Sequence, residues 1–368
     1  MTRADRPTFR AARVGAGVLV AVLAVVLLVG ASIVVSSAFG VWPIGAAASG
    51  VASSATPTAT AAPTTSSSPL PPSTATPPAA PPSAAPPVVV PPSPGAQPCE
   101  TETLLTIWAH PDDDLIFGNP TISDAIAAGQ CVRTLFLTGG DAGKGLGYTH
   151  SRETGILHAY DHMRGADGPW DSTVVTLDAG LRVERFSPHD DARLSVMFAR
   201  LPDGNITDGG FDSTGHATLS RLLDGTIGVL APTDEGPAVD RAQVSASLTE
   251  LAAALRPTRT LTHVPRGSAY APGDHPDHST VGTLVRDAVG HVAEAVPGIR
   301  YAVGYPSADL PRTLDGPVLD AKVETYRIYA QQDEVIRCAD RDSCLKTRRF
   351  GDWLRRSYLL SEADLRLN

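Results

Sequence analysis

The chain has 368 residues, of which 42% are hydrophobic and 19% charged, and a formal net charge of −9 at pH 7. Removing the net +3 of the first 13 residues leaves −12 for the remainder, an acidic balance that argues against a nucleic-acid partner. No repeat recurs at a fixed period, which excludes solenoid folds.

Four arginines and one aspartate mark residues 1–13, and no charged residue follows until Glu100. The run VGAGVLVAVLAVVLLVGASIVV, Val14 to Val35, is 22 residues long. At ~1.5 Å rise per residue that matches the ~30 Å core of a bilayer. Residues 14–42 are therefore expected to form a single-pass transmembrane signal anchor, with residues 1–13 cytoplasmic and the bulk of the chain outside. The small residues GAAASG at 45–50 keep open the alternative of a cleaved signal peptide and a secreted product. Residues 43–98, rich in Pro, Ala, Ser and Thr, cannot bury enough apolar surface to fold and are expected to be a disordered tether.

The working domain is expected over residues 99–368. It holds all four cysteines, Cys99, Cys131, Cys338 and Cys344, and their spacing is not that of a zinc site. Disulfides are expected instead. Of the three pairings, Cys99 with Cys131 and Cys338 with Cys344 is preferred, because the second pair closes a short loop.

In chain order, LLTIW (104–108) and VRTLFLTG (132–139) read as strands, with SDAIAAG between them as a helix that Ser123 caps and Gly129 closes. SRETGILHAYDHMRG sets Ile156, Ala159, Tyr160 and Met163 at helical spacing. Residues 171–235 break the rhythm with alternating runs such as LRVERF and RLSVMFAR, expected to be a β-rich insertion forming a flap on the same domain. Further on, VSASLTELAAAL reads as helix, TRTLTHV as strand, STVGTLVRDAVGHVAEAV as helix, IRYAVGY as strand and DAKVETYRIYAQQDEVI as helix. This alternation predicts a Rossmann-like three-layer α/β fold with a mostly parallel sheet.

Two clusters carry chemistry. AHPDDD (109–114) follows the first strand, and GDHPDHSTVG (273–282) follows TRTLTHV by a loop and opens a helix. In open α/β sheets, ligands gather outside the carboxyl ends of strands, where both clusters fall. Taken singly, DDD is also a good helix N-cap and first turn. Two His/Asp clusters at equivalent strand ends instead point to a divalent metal, which offsets the repulsion of carboxylates gathered in a cleft. His110, His275 and His278 offer imidazole nitrogens and Asp112, Asp113 and Asp114 carboxylates, a set that suits Zn2+ with an open position.

AHPDDD and HPDH together resemble the two signatures of the LmbE-like or PIG-L deacetylases, which hydrolyse N-acetyl groups of N-acetylglucosamine-type sugars; the resemblance covers residues 102–336. It implies His110, Asp113 and His278 as zinc ligands and Asp112 as general base. It also implies His275 as the oxyanion-stabilising histidine, protonated and held by Asp277. TGGDAG matches a loop of the family, and Arg152 in SRETG matches an arginine near the substrate. Tyr270 in YAPGDH is the candidate for a tyrosine that precedes the second signature. Two features depart from the family: Asp114 stands where a glutamate is usual, and no acid lies three residues after Arg152.

The implied protein is an extracytoplasmic zinc-dependent N-deacetylase, bound to the membrane by its N-terminal helix and acting on an N-acetylated sugar, glycolipid or glycan. Two other readings of the clusters are a sugar-binding domain that keeps the metal without turnover, and an Fe(II) oxygenase using His110 and Asp112 in a two-His, one-carboxylate set. The oxygenase motif usually lies among consecutive strands, against the strand and helix alternation here. SPHDDARL (187–194) repeats a His-Asp-Asp string but reads as a turn. GGDAGKGLG lacks the phosphate-binding frame and reads as a cleft loop. His158, His162 and His291 are assigned no role.

Overall fold

Leu104 and Trp108 pack into one apolar cluster and Leu105 and Ile107 into another, all four fully buried. Their strand, β1 (Thr103–Trp108), is therefore covered on both faces, as central strands of α/β sheets are. The computed structural model describes residues 99–292 and 298–367. The expected anchor and tether lie outside them, as does the last part of the helix expected to end at residue 296. Among the described residues no helix is long and apolar enough to cross a membrane.

After β1 come a π-helical turn (Asp114–Gly118), α1 (Thr121–Ala127), β2 (Cys131–Thr138) and α2 (Leu146–Arg164). Three strands follow, β3 (Trp170–Thr176), β4 (Arg182–Pro188) and β5 (Leu194–Leu201), then α3 (Leu219–Leu223) and α4 (Arg241–Leu255). The chain continues through β6 (Arg259–His263), α5 (Pro276–Val289), β7 (Ile299–Ala302), α6 (Gly316–Ala330), α7 (Arg341–Lys346), α8 (Phe350–Leu354) and β8 (Leu359–Leu360).

The sheet has eight strands in the order β3-β4-β5-β2-β1-β6-β7-β8. β5, β2, β1, β6 and β7 run parallel, and antiparallel strands finish both edges. One face is covered by α4 and α5 through Leu248, Leu251, Val281 and Val285. The other is covered by α1, α2 and α6 through Ile122, Ile156, Tyr160 and Tyr326. This is the expected three-layer arrangement. The disulfides are Cys99–Cys131 and Cys338–Cys344.

Residues 171–235 do not form a separate flap. β5 is buried along its whole length and pairs in parallel with β2, so it is a central strand of the main sheet. β4 and β3 extend that sheet antiparallel to its edge. Only the stretch between β5 and α4 leaves the sheet, to border the carboxyl ends of the strands.

Lys322 of α6 is 3% exposed and donates to the carbonyl of Arg356 at 2.7 Å. Burial pulls its pKa from the usual 10.5 down to about 7. Between these values the unfolded chain binds the proton that the folded chain has released, so stability rises with pH across that window, with a slope of up to about 1.4 kcal/mol per pH unit. Lys322→Met is expected to flatten this rise. Denaturant titrations of both proteins at pH 7.5 and pH 9.5 check it; equal slopes would refute the assignment.

Candidate metal centre

β1 leads by α1 to β2 on one side, and the chain later returns to place β6 against the other side of β1. The crevice between the carboxyl ends of β1 and β6 is thus the topological switch point of the sheet, where ligands bind in such folds. AHPDDD leaves β1 there. GDHPDH reaches the same point from β6, with His275 as N-cap and Pro276 in the first turn of α5.

Asp113 lies between two imidazoles. On one side, His278 Nδ1 donates to Asp274 Oδ1 at 2.8 Å, and Nε2 lies 3.1 Å from Asp113 Oδ1. On the other, His110 Nε2 donates to Asp277 Oδ2 at 3.1 Å and Nδ1 lies 3.3 Å from Asp113 Oδ2. Each histidine is therefore oriented by one carboxylate and faces another, the arrangement that outer carboxylates give to metal-binding histidines. Asp274 is itself fixed by the backbone N–H groups of His275 and Tyr305, both at 2.9 Å.

The electrostatics ask for a cation at this point. Burial acts against charge on His278, yet Asp113 and Asp274 hold its pKa up to about 9. Burial would raise the Asp113 carboxyl, but His278, His263 and His110 hold it well below the usual range. Although His278 Nε2 is close to Asp113, it is buried without a hydrogen bond of acceptable geometry. Donor atoms of Asp113, His263 and His278 lie within 4.8 Å of one another, as do those of His110, His275 and His278. Once their protons give way to a cation, imidazole nitrogens grouped with a carboxylate form a donor set that fits Zn2+.

Asp112 turns to the opposite side of the cleft. Its Oδ2 lies 2.9 Å from Arg152 Nη2. Burial pushes its carboxyl up to about 7, against the pull of Arg152. Arg152 also donates to the carbonyl of Gly140 at 2.6 Å and to Tyr329 Oη at 2.7 Å, with Asp333 3.6 Å away. Its guanidinium is therefore committed to the wall behind Asp112.

The geometry bears on three more of the expected residues. His275 Nδ1 approaches Asp277 Oδ2 only to 3.8 Å, and the same nitrogen accepts the backbone N–H of Asp277 in capping α5. Burial and the neighbouring His110 lower its pKa to about 4, so it is a neutral imidazole rather than an imidazolium. Tyr270 does not line the cleft; it packs on the apolar cluster beside α5, with Arg366 over its ring at 5.9 Å. Asp114, fully buried in the π-helical turn, turns into the core, where burial pushes its carboxyl well above the usual range.

The cleft, of about 270 Å3, also takes in Asp203 after β5 and Tyr305 after β7, and is rimmed by Ile206, Val335, Ile336, Phe350 and Trp353. Sequence reasoning passed over Asp203, His263, Asp274 and Tyr305. The rule that found the two clusters, polar residues just past a buried strand, marks Asp203 and Tyr305 as well, while His263 ends a strand and Asp274 sits inside the second cluster.

The cleft at the switch point of this α/β sheet thus gathers buried His and Asp donors that could hold a metal ion. Residues 105–289 match the PIG-L family, described as GlcNAc-PI de-N-acetylase, and the chain belongs to that family. Among solved structures it is similar to N,N'-diacetylchitobiose deacetylase from Pyrococcus horikoshii, complexed with its inhibitor MPG, at 15% identity over 70% of this chain and 76% of that one, with a TM-score of 0.39. It is also similar to the conserved protein TT1542 from Thermus thermophilus, at 19% identity over 63% and 80%, with a TM-score of 0.34. GalB, the 4-carboxy-2-hydroxymuconate hydratase from Pseudomonas putida, is 11% identical over 69% and 84%, with a TM-score of 0.37. No curated protein matches.

Proposed function

We propose that this chain is a zinc-dependent hydrolase that removes the N-acetyl group of an N-acetylglucosamine-type sugar, glycolipid or glycan. The observation that carries the reading is the double arrangement around Asp113, with an imidazole nitrogen on each side and a second carboxylate behind each ring. Membership of a family described as GlcNAc-PI de-N-acetylase supports the substrate class.

His110, Asp113 and His278 would hold the ion, with His263 beside them. A bound Zn2+ supplies Lewis acidity towards the amide carbonyl and lowers the pKa of a water molecule to about 7. Asp112, free of the Asp113 cluster and held by Arg152, takes the proton from that attacking water and returns it to the leaving amine. The hydrogen bond that His275 Nδ1 accepts from the Asp277 backbone leaves the ring proton on Nε2. His275 then donates from Nε2 to the developing oxyanion as a neutral imidazole. Arg152, which lines the cleft, orients Asp112.

We place the domain outside the cytoplasm, joined to the membrane through residues 14–42. The charge-free run behind four arginines supports this topology, as do two disulfides in the described domain.

The full chain supplied with Zn2+ is expected to release acetate and a free amine from an N-acetylglucosaminyl glycoside. Elemental analysis should show the metal lost in His278→Ala, and Asp274→Asn should bind it about 10- to 100-fold more weakly. Full zinc occupancy in His278→Ala would remove the proposed ligand set. A panel of N-acetyl sugars that bind without acetate release would favour the sugar-binding reading instead.

A further inference from the structure

A second cavity, of about 350 Å3, lies behind the loop that follows β2, lined by Asp141, Leu146, Pro202, Thr214, Thr233 and Glu235 among others. It shares a wall with the metal cleft: Asp141 and Pro202 face the cavity, and the next residues in each segment, Ala142 and Asp203, face the cleft. Its volume is within the roughly 300–1,000 Å3 of small-molecule sites.

The cavity has a built polar floor. Asp141 is 1% exposed; its Oδ2 accepts the backbone N–H of Gly145 at 3.4 Å, its Oδ1 is buried without a hydrogen bond of acceptable geometry, and the backbone N–H groups of Asp141 and Asp203 also favour its charged form. The nearby Asp203 differs, with its oxygens accepting the backbone N–H groups of Asn205 at 2.8 Å and Ala142 at 3.3 Å. Burial and the charge of Asp203 push the Asp141 carboxyl upward, so a cation beside it would relieve both. The outer wall is held in place. Arg200 pairs with both oxygens of Glu153, at 2.6 and 2.7 Å, and with Asp234 at 3.0 Å, and its carbonyl accepts the N–H of Thr233 at 2.9 Å.

We propose that this cavity binds a primary ammonium group, and that the ligand is an amino sugar with a free amine. A metal ion is the poorer occupant: among the described residues, every group of His, Cys, Asp and Glu close enough to share an ion lies in the cleft, and Asp141 belongs to none. An ammonium has three donors; the lining offers it the Asp141 carboxylate and the Thr214 and Thr233 hydroxyls, whose own protons go to the carbonyls of Phe211 and Arg200 and leave their lone pairs to accept. The apolar faces of Leu146 and Pro202 suit the carbon face of a sugar ring. The ammonium stands on the cavity alone. Its assignment to an amino sugar rests on the deacetylase reading, because hydrolysis of an N-acetyl sugar leaves that amine.

Calorimetric titration of the full chain with glucosamine, N-acetylglucosamine and glucose tests this without reading activity. Glucosamine is expected to bind at least about tenfold more tightly than either of the others. Asp141→Asn and Ser213→Trp, the latter filling the cavity from its exposed rim, should each abolish the preference, and His278→Ala in the cleft should keep it. If Asp141→Asn does not fold, Ser213→Trp carries the test. A preference for glucosamine that persists in the variants, or no preference in the unmodified chain, overturns the proposal. Acetate release is a separate measurement, so failure of the deacetylase reading and failure of the cavity proposal are seen apart.

Discussion

Asp112→Asn is expected to keep its metal and to lose about 10²- to 10⁴-fold in kcat, the usual contribution of a general base. The amide has the shape of the carboxylate, and its oxygen still accepts from Arg152 Nη2, which lies 2.9 Å from Asp112. It cannot take up a proton. The histidines around Asp113 are held by Asp274 and Asp277, neither of which touches Asp112, so the donor set stays in place. Elemental analysis and initial rates on the same preparation separate the two functions. Loss of metal from Asp112→Asn would make Asp112 a ligand, as the two-His, one-carboxylate reading requires, and would end the division of labour between the adjacent aspartates.

Gly282→Ala is expected to destabilise the fold by about 2 kcal/mol or more, against the roughly 1 kcal/mol that alanine gains over glycine inside a helix. A Cβ at this position of α5 would lie 2.3 Å from the carbonyl oxygen of His263, 2.6 Å from that of Val264 and 2.7 Å from the Val264 carbonyl carbon. All three are backbone atoms at the end of β6 and cannot rotate away as a side chain would. The helix must therefore move off the strand, and with it His275, Asp277 and His278 at its start. Zinc affinity should fall together with the denaturation midpoint. Gly147→Ala in α2 is the control: a Cβ there meets nothing within 4 Å, so propensity decides and stability should hold or rise. Equal behaviour of the two variants would show that the close approach of α5 to β6 is not what requires glycine.

The centre of the fold was legible because two periodicities are distinct in the sequence. The apolar runs of β1, β2 and β6 and the helical spacing of α2, α4 and α5 fall where expected within a few residues, and the strand-helix alternation implies a parallel sheet. Putting AHPDDD and GDHPDH at strand ends was enough to bring them together, since the switch point lies between β1 and β6. What failed to show depends on distant pairing. RLSVMFAR alternates like a half-exposed strand, but β5 is buried on both faces because β2 pairs with it and helices cover it, which no local pattern states. Tyr270 and Tyr305 are equally plausible along the chain. Only the way the loops after β6 and β7 fold sends Tyr305 into the cleft and Tyr270 under α5. The charge state of His275 turned on its burial beside His110, surroundings that the residue types alone do not reveal.

The metal ligands proposed here all precede the end of α5, and the matched family segment stops at residue 289. Tyr305, Val335, Ile336, Phe350 and Trp353, which shape the cleft's apolar side, all come later. The matched segment adds Ile116, Phe117, Ile206 and Phe211 to the same lining, so the cleft is completed by two stretches of one polypeptide that divide near residue 289. Several contacts cross that divide: the Tyr305 N–H donates to Asp274, Arg152 donates to Tyr329 Oη, and Asp333 accepts from both Tyr148 and Tyr329 at 2.8 Å behind Arg152. A transplanted C-terminal portion must bring an equivalent acid, or the arginine that steadies Asp112 loses its own support.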